Sequence, residues 1–163
     1  MPTSSILTTL KQSSIFSRFT ATELELAAAV CHEQAFKSGE TIFEQNSKGT
    51  ELYVIAAGSV DILIEGQSAP EEPRKDAVVA TLKRGQSFGE IALVDDGLRS
   101  ATARAAQSGT RLLVIPRDKL IMLCETYPQL GYRIMHNLAA DLAAKIRNTD
   151  RRIREGLLYK PKA

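Results

Sequence analysis

The spacing of apolar positions changes period twice along this chain. From Thr20 to Val30, Leu24, Leu26, Ala27, Ala28 and Val30 follow an acidic first turn, Thr20-Ala21-Thr22-Glu23, which predicts a helix. Short apolar stretches then take over: Thr41-Ile42-Phe43, Leu52-Tyr53-Val54-Ile55 and Val60-Asp61-Ile62-Leu63-Ile64 read as strands. Gly39-Glu40, Ser47-Lys48-Gly49, Gly58-Ser59 and Gly85 separate them and are expected to supply positive φ for tight reversals. Further strands are expected at Ala77 to Leu82, Ala101 to Ala105 and Arg111 to Ile115, the last stopped by Pro116. The prolines and charges between Glu65 and Asp76 predict an exposed, mobile hairpin loop. After Pro116 the helical period returns, with a short helix from Asp118 to about Glu125 and a longer one from Pro128 to about Arg154.

These elements predict an α+β, mainly β fold: a β-roll or jelly-roll over about 35–116, preceded by a helix and followed by a hinge helix and a long helix over about 118–155. A length of 163 residues suits one domain, 1–163. On the long helix, Leu142, Ile146, Thr149 and Ile153 recur at spacings of four, three and four. This stripe is either the a/d seam of a homodimer, with one polar residue in it, or the face packed on the chain's own β-roll.

Composition is that of a globular protein, 44% hydrophobic and 25% charged. A basic n-region and a run of about eighteen apolar residues are both missing, so no membrane span is expected and the cytoplasm is the expected location. Cys31 and Cys124 fit neither a disulfide framework nor a Cys-x-x-Cys site and are read as buried, inert thiols. The net charge of +2 implies no polyanionic partner. The C-terminal cations Lys145, Arg147, Arg151, Arg152, Arg154, Lys160 and Lys162 could attract nucleic acid or an anionic surface but read as a solvated helix face, and too few residues follow for a helix-turn-helix, so specific DNA binding by this chain is not expected.

The chemistry is concentrated between Phe88 and Ala105, Phe-Gly-Glu-Ile-Ala-Leu-Val-Asp-Asp-Gly-Leu-Arg-Ser-Ala-Thr-Ala-Arg-Ala. Gly89 allows close approach to the backbone, and the turn from Glu90 to Leu93 can aim amides at an anion. Arg99, nine residues after Glu90, offers a planar fork matched to phosphate oxygens. A carboxylate beside a phosphate needs another partner, and a ribose 2′-hydroxyl supplies one, so glycine, glutamate and arginine together describe a phosphorylated ribose. Ser100 adds a hydroxyl for the phosphate or a purine edge. The bland reading is an ion pair between Glu90 and Arg99 across a turn.

Phe-Gly-Glu-Ile-Ala-Leu followed by Arg-Ser-Ala-Thr resembles the phosphate-binding cassette of the cyclic-nucleotide-binding domain family. Gly39-Glu-Thr-Ile-Phe, Gly49-Thr-Glu-Leu-Tyr-Val-Ile and Gly58-Ser-Val resemble the family's glycine-marked strand turns, and the likeness covers roughly residues 10–155. The resemblance implies that Gly89 and the amides of Ile91 and Ala92 lie near a cyclic phosphate. It implies further that Glu90 binds the 2′-hydroxyl, Arg99 pairs with the phosphate and Ser100 contacts phosphate or base. Ser100 favours cAMP over cGMP, and Thr149 falls where similar bacterial regulators reach the adenine. Leu98 departs from the family's common proline, and Ala103 and Arg104 stand where a β-branched residue is common.

The expected function is a cyclic-nucleotide-binding regulatory module that signals to an effector protein through its C-terminal helix. The alternatives are a scaffold that keeps the fold but binds only protein, and a sensor of another nucleotide such as a cyclic dinucleotide. No enzyme is expected, because the His-x-His cluster of metal-dependent jelly-roll enzymes and any Ser-His-Asp arrangement are missing. Asp95 and Asp96 before Gly97 read as a solvated turn, and His32 and His136, placed in separate predicted helices, have no partner at ligand spacing, so no metal or cofactor is expected.

Overall fold

The computed structural model describes residues 4–66, 70–71 and 75–158. Helix α1 (Ser4–Gln12) and a 3-10 turn (Ser14–Phe16) lead to α2 (Ala21–Val30). Eight strands follow: β1 (His32–Phe36), β2 (Thr41–Phe43), β3 (Glu51–Ala57), β4 (Ser59–Ile64), β5 (Ala77–Lys83), β6 (Ser87–Phe88), then, after the one-turn α3 (Ile91–Val94), β7 (Thr102–Ala105) and β8 (Thr110–Pro116). Helices α4 (Arg117–Thr126) and α5 (Pro128–Leu158) close the chain. The strands form two antiparallel sheets in the orders β1-β8-β3-β6 and β2-β7-β4-β5.

The two central strands of the first sheet are buried on both faces, which is why β3 and β8 carry unbroken apolar runs rather than alternation. Leu52 and Val54 on β3, with Leu113 and Ile115 on β8, face a core shared with the helices, including Leu10, Phe16, Leu24, Leu120, Ile134 and Leu138. Their neighbours Tyr53, Ile55, Leu112 and Val114 face the second core, between the sheets, with Phe88, Val60 and Ala103. The predicted α+β roll with flanking helices is therefore the observed architecture, but it is mixed rather than mainly β, because the helices, α5 above all, hold more residues than the strands.

Several expectations change in detail. Helix α1 went unpredicted, although Ile6 and Leu10 bury one face of it. His32 lies in β1, not in a helix, and the roll begins there because β8 pairs with His32–Phe36 along their length. Gly49 does not take positive φ; Asn46, at φ +65°, makes the reversal in that turn. Part of the predicted hairpin loop, at 67–69 and 72–74, lies outside the described residues. Cys31 and Cys124 are only partly buried. Burial pushes the Cys31 thiol up to about 12 and raises that of Cys124, which leaves both protonated and unreactive at neutral pH. Among the described residues no helix is long and apolar enough to cross a membrane.

The stripe on α5 divides at Leu142. Leu142 packs partly buried against the helix-side core, whereas Ile146 and Ile153 are 61% and 57% exposed. Packing on the chain's own roll thus accounts for only the first position. Thr149 is exposed, and its hydroxyl donates to the Lys145 carbonyl of its own helix at 3.0 Å.

Candidate functional site

Gly89 stands between β6 and α3 at φ +78°, a conformation that side chains with a Cβ rarely adopt. The turn it makes brings Glu90 to the start of α3 and buries it, with 6% of its surface exposed. Within the turn, the Leu93 amide donates to the Glu90 carbonyl at 3.0 Å and the Asp95 amide to the Ile91 carbonyl at 2.9 Å. Ile91 and Ala92 open the turn, so no preceding helical carbonyl exists for their amides. Asp95 caps the next reversal by accepting from the Gly97 amide at 3.0 Å, the solvated turn expected from sequence.

Arg99 returns to the same place from the other side. Its backbone is clasped by the turn after β2: the Arg99 amide donates to the Ser47 carbonyl and the Asn46 amide to the Arg99 carbonyl, both at 2.8 Å. Gly49 in that turn permits the clasp, because a Cβ there would lie 2.5 Å from Ala92 Cβ and 3.0 Å from Arg99 Cζ. The need at Gly49 is close approach rather than φ.

The Arg99 side chain is also buried, with 6% exposed. Its two terminal nitrogens donate to backbone carbonyls, Nη1 to Gly89 at 3.1 Å and Nη2 to Glu51 at 2.8 Å. The guanidinium carbon sits 4.1 Å from the Phe43 ring centroid and 5.7 Å from that of Tyr53. Among the described residues its Nε–H finds no acceptor. Among the described residues no carboxylate reaches Arg99 at ion-pair distance, so the expected alternative of a Glu90–Arg99 pair is not what forms. Burial lowers the Arg99 pKa, opposed by the nearby carboxylates of Glu51 and Glu90. Burial and Glu51, whose carboxylate accepts from Tyr53 Oη at 2.6 Å, push the Tyr53 hydroxyl upward, which keeps it a donor.

Glu90 is instead met by Lys145 of α5, Nζ to Oε1 at 2.5 Å. The same ammonium donates to the Ser87 carbonyl at 2.9 Å and lies 2.9 Å from Asp141 Oδ2, an ion-pair contact without hydrogen-bond alignment. One face of α5 therefore meets the roll through charges: Lys145 at Glu90 and, seven residues on, Arg152, whose Nη1 donates to the Val79 carbonyl. Thr149 lies between these two on the same stripe. Ser100 is exposed beside Arg99.

The structure thus gathers Gly89, Glu90, Ile91, Ala92 and Arg99 at one place. Sequence reading missed Lys145, taken as a solvated charge, and the Phe43, Tyr53 and Glu51 surroundings of Arg99. The i, i+7 spacing of Lys145 and Arg152 around Thr149 was the available signal for Lys145.

A buried carboxylate and a buried, incompletely partnered guanidinium thus lie together behind a glycine turn. Comparison with known proteins gives the chain a family. The family profile described as "Cyclic nucleotide-binding domain" matches residues 33–127, and the chain belongs to that family. It is 33% identical over 141 residues to the "Cyclic AMP receptor protein" of Thermus thermophilus, covering 86% of this chain and 61% of that protein. A crystal structure of the Thermus thermophilus Catabolite Activator Protein matches with TM-score 0.69 and 31% identity over 87% of this chain and 62% of that one. A cyclic nucleotide-binding domain from Methylobacillus flagellatus shares the fold at TM-score 0.78 and 23% identity, over 97% and 85% of the two chains. The chain spans less than two thirds of both Thermus proteins.

Proposed function

We propose that this chain is a regulatory module whose ligand is cAMP and whose output, to an effector protein, is the position of α5. The observation that carries the reading is Arg99: a buried cation with an orphan Nε–H is costly to maintain, and an incoming phosphate offsets that cost. In this reading Arg99 pairs with the cyclic phosphate, with Gly89 and the Ile91 and Ala92 amides beside it. Glu90 takes the ribose 2′-hydroxyl, Ser100 the phosphate or the base, and Thr149 the base edge. The name of the Thermus relative, a cyclic AMP receptor, supports cAMP over cGMP. The exposed Ile146 and Ile153 support a homodimer through α5. The module is non-catalytic and works in the cytoplasm.

Calorimetric titration with cAMP and then cGMP, after removal of any co-purified nucleotide by unfolding and refolding, tests it. One cAMP per chain is expected, with cGMP weaker, and Arg99→Ala is expected to cut cAMP affinity by about a hundredfold or more. The absence of both binding heat and thermal shift with either nucleotide would overturn the reading in favour of the protein-binding scaffold.

A further inference from the structure

Lys145 is bound more completely than a helix-surface lysine needs to be. Its ammonium meets Glu90 Oε1, the Ser87 carbonyl and Asp141, and Asp141 sits one turn before it on α5 at i, i+4 spacing. Its side chain is 37% exposed while that of Glu90 is 7% exposed, so the pair reaches from the helix surface into the roll. A carboxylate taken that far out of water needs a countercharge, and Lys145 supplies it. The hydrogen bond engages one carboxylate oxygen, Oε1.

We propose that Lys145 is a positioning residue for the sugar: by holding Oε1 it turns Oε2 of Glu90 toward a ribose 2′-hydroxyl, so that ribose selectivity depends on a residue of α5. The inference rests on the cyclic-nucleotide reading above. It adds a route by which α5 and the cassette act on each other. When α5 docks, the lysine aligns Glu90, and when a hydroxyl bonds Glu90, the carboxylate is fixed for the lysine. Such coupling is reciprocal. Asp141 is the tether that keeps the ammonium at this depth.

The test is a cycle of two ligands and three chains: cAMP and its 2′-deoxy analogue titrated into wild type, Lys145→Met and Lys145→Arg. Wild type is expected to prefer cAMP. Lys145→Met is expected to reduce that preference by about tenfold, acting on cAMP and changing the 2′-deoxy affinity by less than about twofold, with Lys145→Arg restoring most of it. Asp141→Asn, which loosens the tether but keeps the lysine, is expected to lower the preference in the same direction by a smaller factor. Equal weakening of both ligands, as a merely structural lysine gives, or an unchanged preference, overturns the inference and leaves the cAMP reading standing. Wild type that binds neither nucleotide overturns both.

Discussion

A methyl group added at Gly49 has nowhere to go, since it would lie within 3.0 Å of both Ala92 Cβ and Arg99 Cζ. Gly49→Ala is therefore expected to displace the cassette rather than the roll: cAMP affinity in calorimetry falls by about tenfold or more, while the melting transition moves by only a few degrees. Gly89→Ala combines strain at φ +78° with a Cβ 2.7 Å from Arg99 Nη1, and is expected to do more harm to both. At this scale the sequence was readable where chemistry dictates residue type. Glu90 and Arg99 stood out by charge and spacing, and the structure buries both at the cassette. Phe43 against the guanidinium and the carbonyl of Glu51 were not readable, because they reach Arg99 through sheet topology and leave no local pattern. Gly49 was recognised as a turn glycine for a reason the structure replaces.

Among the elements, β3 and β8 were legible as continuous apolar runs, though not the division of their two faces between separate cores. Leu113 is fully buried on the helix side, so Leu113→Ala is expected to cost about 2–5 kcal/mol in denaturant unfolding. β1 was missed because four of its five residues are exposed, so it shows no alternation and exists through its pairing with β8. Helix α2 was announced by its own ends. Thr20 accepts from the Glu23 amide and Glu23 from the Thr20 amide, a reciprocal cap. Thr20→Ala is expected to cost about 1 kcal/mol. Burial acts to raise the Glu23 carboxyl, but its bonds to Thr20 and the Arg133 guanidinium prevail and hold it below the ordinary value of 4.5. The stability this contributes is thus present above 4.5 and is lost as pH falls through the lower folded value. The difference in melting temperature between wild type and Glu23→Gln is accordingly expected to shrink on acidification.

At the scale of the molecule, α5 runs 31 residues with an apolar edge, Ile146, Ile153 and Leu157, that no described residue covers. The proposed dimer uses this edge, so Ile146→Asp with Ile153→Asp is expected to convert a dimer to a monomer in sedimentation equilibrium without loss of the fold. The sequence showed the periodicity and left its partner open, because a heptad stripe looks the same whether a second chain or the chain's own roll covers it. The burial limit at Leu142 now marks where one surface ends and the other begins. In the proposed signalling that limit is the fulcrum once the Lys145 and Arg152 contacts to the roll release. From Leu142 to Leu158 the helix projects roughly 24 Å beyond its last apolar anchor, so a tilt of about 20° there would sweep the tip through roughly 8 Å. A shift of a fraction of an ångström beside the pivot would then arrive at the far end as a displacement the size of a side chain, a mechanical gain set by where the grease ends on a rigid rod.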